Sequence, residues 1–347
     1  MNYFRRTALL ALFVCPAVAS AADVKDLIRQ GTALHDQGRY AEAIAAYREV
    51  LKQDPKNVTA LYELAFSLGE SGALDECVAT AERGLKLTKE LRAAFYTLEG
   101  NCLDTAGKSA KAVQAYARGL EESPGNPGVA FNWGLAEIRL GHLGEARRLL
   151  KISIQARPDH ASSHFYLAQV FAKSGYDVPA LLAALRFLSL ESTGPRAVEA
   201  ARLARQALNL GVSKKSEKEI SIQLNPQAPT DEGNFFTAST MLGLASAANF
   251  SGEGPKKSEI AQLAEQVSLF VAFVGEAPAE PGKGSFAAST YFPFLAAIRQ
   301  ADVATPFAYQ AFSSLELPGT REWVEGHKEE MQKLHDLLRR WEAPERP

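Results

Sequence analysis

The chain has 347 residues, 46% of them hydrophobic and 22% charged, with a formal net charge of −2. Near-neutral charge without a Lys/Arg stripe excludes a nucleic-acid binder, because phosphate recognition needs clustered positive charge. The length exceeds one ordinary domain, so two units are expected.

The first 21 residues read as a signal peptide. Arg5 and Arg6 form a positive start, Ala8 to Val14 form an apolar run too short to span a bilayer, and Ala19-Ser20-Ala21 offers small residues for cleavage. Cys15 would be the acylated residue of a lipoprotein signal, but Leu12-Phe13-Val14 is bulky where such a signal needs small residues. Cleavage after Ala21 removes two positive charges and moves the net charge to about −4. No later stretch is long and apolar enough to span a membrane. The expected location is therefore outside the cytoplasm, in a bacterial periplasm.

From Val24 onward one pattern returns about every 34 residues, the period of a helical solenoid. Gly31, Gly38, Tyr40, Ala43, Tyr47 and Pro55 mark the first copy. Gly100, Gly107, Ala112, Tyr116 and Pro124 mark the third, and Trp133, Gly134, Gly141, Ala146, Leu150 and Pro158 the fourth. The copies are placed at 24–57, 58–92, 93–126, 127–160 and 161–194. Within each first helix, positions 4, 8 and 11 share one face, as Leu61, Ala65 and Leu68 do in copy two. Small residues such as Gly134 and Ala146 let paired helices approach. Gly38, Gly72, Gly107, Gly141 and Gly175 end first helices, and Pro55, Pro124 and Pro158 end second helices. The helix from Pro195 to Leu210 reads as a cap, since terminal repeats need one. Cys77 and Cys102 fall on adjacent helices at small packing positions. Free buried thiols are expected there, with a disulfide as the alternative.

This skeleton resembles the tetratricopeptide repeat, TPR. The resemblance implies an all-α solenoid of about five repeats plus a capping helix over 22–210, with no chemistry of its own. It also implies a concave surface formed by positions 2, 5, 9 and 12 of the first helices. A subset of that family grips a C-terminal carboxylate with Lys and Asn there. Asn101 and Asn132 match its asparagines, but Thr97 stands where its Lys should be, so a carboxylate clamp is not expected. What remains is a groove of Tyr62, Phe66, Asn101, Phe131, Asn132, Phe165 and Gln169. It suits an apolar or aromatic peptide of a protein partner, and the protein's own C-terminal half is a second candidate occupant. Each ring buried there would contribute roughly 1.5–3 kcal/mol.

Residues 211–231 read as a linker, with one short extended segment from Glu219 to Leu224. A C-terminal α-helical domain is expected over 232–347, with helices near 232–250, 257–275, 285–301, 305–315 and 320–342. Phe236-Thr-Ala-Ser-Thr240 and Phe286-Ala-Ala-Ser-Thr290 open two of them alike, and Pro293 should kink a third-turn position. No cofactor, catalytic residue or metal site is expected. His160 and His164 share helical spacing without an acidic or Cys partner nearby in sequence. Ser285, Ser289 and Ser313 have no Gly-x-Ser-x-Gly frame, and Gly282-Lys-Gly284 lacks a preceding strand. The leading reading is an exported adaptor or scaffold. The alternative is a ligand-binding or enzymatic C-terminal half recruited by the repeats.

Overall fold

The computed structural model describes residues 23–216, 219–223, 229–276 and 285–341. The expected signal peptide, Cys15 and Gly282-Lys-Gly284 lie outside them. Contacts divide the chain after Thr88 into two compact units.

Unit 1 holds two helical hairpins, α1 (Val24–Asp36) with α2 (Tyr40–Gln53) and α3 (Val58–Glu70) with α4 (Leu74–Leu85). Leu61, Ala65 and Leu68 are buried along one face of α3, as their spacing requires. Asn57 caps α3 by accepting from the Ala60 N–H at 2.9 Å.

Unit 2 continues the alternation with α5 (Arg92–Thr105), α6 (Ser109–Glu122), α7 (Pro127–Leu140), α8 (Leu143–Ala156), α9 (Ala161–Lys173) and α10 (Asp177–Leu190). The turn glycine before each second helix is left-handed, as at Gly141 with φ 80°. That conformation is nearly free for Gly and costly for other residues. Alternate first helices touch, α5 with α7 and α7 with α9. They therefore line a common face, the one the repeat register assigns to the inner surface.

The expected cap is present as α11 (Pro195–Leu208). The linker is not wholly irregular. Val212–Ser216 and Glu219–Ile222 pair as an antiparallel hairpin, β1 and β2, with Val212 opposite Ile222. Polar Lys214 and Lys215 suggested a solvated connection, and both are exposed on β1. The backbone still pairs because strand formation depends on local hydrogen bonding more than on side-chain polarity.

The C-terminal half is helical: α12 (Phe236–Ala248), α13 (Glu259–Glu276), α14 (Phe286–Gln300), α15 (Ala304–Ala311), α16 (Thr320–Gly326) and α17 (Lys328–Arg340). Helix α14 continues through Pro293. The single closing helix expected over 320–342 is two helices that meet at His327. His327 donates through Nδ1 to the Trp323 carbonyl at 2.7 Å, and its ring stacks on Trp323 at 4.0 Å.

Helix α10 explains how this half attaches. Every residue from Val178 to Leu188 is buried. Its sequence, Asp-Val-Pro-Ala-Leu-Leu-Ala-Ala-Leu-Arg-Phe-Leu-Ser-Leu, is apolar around nearly the whole cylinder, which demands cover on every side. Helices α9 and α11 cover part of it, and α12, α14 and α15 cover the rest. One continuous core runs from Ala146 through α10 to Leu334.

Candidate functional site

The residues expected to form a groove fall in both units, and each set is taken separately. In unit 1, Phe66 on α3 is 37% exposed and packs against His35 at 4.5 Å between ring centroids. His35 is held in turn by Ser67, with Nδ1 to Oγ at 2.9 Å. Tyr62 is half-buried, and burial, with Glu63 nearby, raises its phenol pKa. The pair presents an aromatic surface one helical turn long.

In unit 2 the central feature is a polar rung beside an aromatic ring. Asn101 on α5 accepts through Oδ1 from Tyr116 Oη at 2.8 Å and from Asn132 Nδ2 at 3.0 Å. Both lone pairs of that oxygen are therefore used. The Asn101 amide N–H2 and the Asn132 carbonyl oxygen make no hydrogen bond among the described residues. Both side chains are half-buried, so the rung offers one donor and one acceptor at the surface. Phe131, next to Asn132 on α7, is also half-buried and packs edge-on against His160 at 4.8 Å.

Two members of the expected set are committed elsewhere. Phe165 on α9 is only 4% exposed; its ring packs on Phe187 at 5.1 Å and on Tyr166 at 5.2 Å. It is core, because α10 carries a Phe where it meets α9. Gln169 is half-buried, and its Nε2 donates to Glu199 Oε1 of α11 at 3.0 Å, a strut between the last repeat and its cap.

Within unit 2 the C-terminal half is anchored on α8, the second helix of repeat four, with a further contact to α9 through His164. Glu232 sits buried ahead of α12 and pairs with Lys151 and with Arg147 Nε at 3.1 Å, both on α8. Asp231 takes Arg147 at 2.7 Å and accepts from Tyr176 Oη. Ser285, the cap of α14, donates to the Glu232 carbonyl. These anchors were not found by sequence reasoning. The readable signal was the all-round apolarity of α10, with Arg186 as the single charge after its first residue.

His160 and His164 do not converge as a pair. His160 Nδ1 meets Ser163 Oγ at 2.7 Å. His164 is wholly buried; its Nε2 donates to the Pro158 carbonyl at 2.9 Å, which leaves Nδ1 to accept from Tyr291 Oη of α14 at 3.1 Å. Burial lowers its pKa to about 3. Arg186 is buried beside Phe294, with its guanidinium 4.9 Å from the ring centroid, and burial lowers its pKa to about 10. Among the described residues no three His, Cys, Asp or Glu side chains gather around a metal position. Cys77 and Cys102 are each disulfide-bonded, which corrects the free-thiol expectation. Their positions were legible; what separates a thiol pair from a disulfide is side-chain geometry that spacing does not carry.

Two family models match the chain, one described as TPR repeat over residues 31–72 and one as tetratricopeptide repeat over residues 131–191. A curated relative from Hordeum vulgare, the probable UDP-N-acetylglucosamine–peptide N-acetylglucosaminyltransferase SPINDLY, is 27% identical over 132 residues. That match covers 36% of this chain and 14% of the relative's length. Among solved structures, Pseudomonas aeruginosa PilF is 18% identical with a TM-score of 0.48, covering 53% of this chain and 82% of that one. MamA from Desulfovibrio magneticus is 17% identical with a TM-score of 0.42, covering 50% and 97%. YrrB, described as a TPR protein with an unusual peptide-binding site, is 19% identical with a TM-score of 0.41, covering 52% and 92%.

Proposed function

We propose that this chain, a tetratricopeptide-repeat protein by its matches over 31–72 and 131–191, is an exported adaptor that holds an extended peptide of a protein partner on its first helices. The observation that carries the reading is the Asn101–Asn132 rung beside Phe131. An extended peptide presents alternating backbone N–H and C=O groups and side chains. The free amide donor and carbonyl acceptor suit the backbone, and the face of Phe131 suits an apolar side chain. In the C-terminal half the interior is aromatic, built on Phe270, Phe294, Phe307 and Phe312. Asp231 and Glu232 are engaged in its attachment to α8, which favours binding over catalysis there.

Export is supported by the charged, apolar and small-residue order of residues 1–21 and by the two oxidised cysteines, since disulfides persist in oxidising compartments. Two experiments test the reading. In a displayed-peptide selection the mature protein should enrich peptides with a bulky apolar residue, and Phe131→Ala with Asn132→Ala should lose them while keeping its helical circular dichroism. Unchanged enrichment would sink the groove assignment. For export, the purified protein should begin at Ala22; an intact N-terminus after expression in a secretion-competent host would remove that part.

A further inference from the structure

A second pocket lies away from the first-helix surface, where the start of α10 faces the entry to α12. It has a volume of about 200 Å³ and is lined by Tyr176, Asp177, Pro179, Pro229, Phe235 and Phe236, among others. Drug-sized ligands occupy clefts of roughly 300–1,000 Å³, so this one fits a single side-chain-sized group. Its apolar wall is built largely of rings: a phenol, two phenyls and two prolines. Phe236 is 49% exposed, an unusual position for a phenylalanine that has a helix to pack against.

The one charged member is Asp177, beside the neutral polar Thr230, Asn234 and Ser239. It stands in the first turn of α10, makes no capping bond, and has no ion pair or hydrogen bond through its side chain among the described residues. The neighbouring charges are already balanced: Asp231 and Glu232 face Arg147 and Lys151. Asp177 is thus the uncompensated charge of this region. Burial alone pushes its pKa up, so the carboxylate is held partly out of water with nothing in return. An unpaired carboxylate among aromatic faces rejects anions and attracts organic cations, through charge and through the ring quadrupoles.

We propose that this pocket binds an organic ammonium group, supplied by a lysine side chain of a partner protein. The rings hold the methylene stem, and Asp177 takes the ammonium head. The site shares no residue with the Asn101–Asn132 rung, so it stands or falls independently of the groove reading. A competing view gives Asp177 only the role of complementing the positive end of α10. The two differ in outcome. As a dipole partner alone, Asp177→Asn should lower the thermal midpoint and change no binding. As a ligand-binding residue it should leave the midpoint level or higher, because a desolvated charge is removed, and abolish lysine recognition.

The test is calorimetric titration of the full mature chain with an N-acetyl Gly-Lys-Gly amide, its norleucine counterpart and n-butylammonium. The lysyl peptide should bind about tenfold more tightly than the norleucyl one, a ratio within the reach of one ion pair plus ring contacts. Asp177→Asn should erase that ratio. Phe236→Ala should weaken lysyl binding severalfold, and Leu244→Ala, exposed on the same helix, should leave it unchanged. Saturable binding of n-butylammonium as tight as the peptide would keep the ammonium site and overturn the peptide source. Equal affinity for lysyl and norleucyl peptides, or undiminished lysine preference in Asp177→Asn, would overturn the proposal.

Discussion

Gly100 sets how closely α5 and α6 approach. A Cβ added there would lie 2.4 Å from Cε1 of Tyr116, a side chain that is buried and fixed by its bond to Asn101. Tyr116 cannot retreat without giving up that bond, so Gly100→Ala should cost about 1–3 kcal/mol of stability, read from the midpoint of urea unfolding. Gly31 meets Tyr47 in the same way at 2.5 Å. A cost indistinguishable from zero at Gly100 would mean that the ring has room it does not show. Positions like these were legible from the sequence, because a missing Cβ and a left-handed turn are local demands that only glycine meets cheaply. Phe165 was not legible in the same way. Its register assigns it to the groove, but whether the ring stays open depends on Phe187, Tyr166 and Arg196. Only Tyr166 is near it in sequence, and two of these partners lie 20 or more residues further along.

The second helix of repeat five gives the clearest case of an element whose surroundings had to be seen. That α10 would be buried follows from composition; that α12, α14 and α15 bury it does not. Five repeats with a cap gave no reason to look for further cover, because a cap ordinarily turns a polar face outward. Here α11 is itself packed against α13 and the turn at Ser313–Leu315. The attachment concentrates on Glu232, which joins Lys151 and Arg147 of α8 and, through its carbonyl, Ser285 of α14. Glu232→Gln keeps the shape and removes the charge, leaving Lys151 without its carboxylate. The expected loss is about 2 kcal/mol, the scale of a hydrogen bond to a charged group. Amide hydrogen exchange in α14 should speed up, with α5 and α6 unchanged; uniform acceleration would show that the anchor is not local. Arg186→Met tests the opposite case. A buried guanidinium facing Phe294, hydrogen-bonded to Ser189 but with no carboxylate in ion-pair contact among the described residues, pays desolvation with little return. A similar-sized apolar side chain should leave the thermal midpoint level or raise it, and a clear drop would reveal a partner for the cation.

Because repeats four and five share one core with the C-terminal half, a group that bridges them reports on unit 2 as a whole. His164 is that group, buried on α9 and bonded to Tyr291 on α14. Burial is the main force against a positive charge there, and Arg186 on α10 and His160 one turn back add to it; the Pro158 carbonyl and, more weakly, Asp159 favour the charge without offsetting the burial. The folded pKa is about 3, against 6.5 when the chain is unfolded. The folded state therefore binds fewer protons between those values, and stability rises with pH across that window and levels off above it. Going from pH 6.5 to 4.5 should cost about 2–3 kcal/mol from this side chain alone. Carboxylates such as Asp231, held low mainly by the Tyr176 hydrogen bond, lose stability on acidification too, at lower pH. The discriminating measurement is thus the difference between the parent and His164→Asn. Asparagine keeps a donor and an acceptor but does not titrate, so its unfolding free energy should be nearly flat from pH 6.5 to 5, where the parent's falls. Parallel slopes for the two proteins over that interval would mean that His164 is protonated in the folded state. The contact between α9 and Tyr291 would then have to be an ion-assisted one, with the hydroxyl accepting.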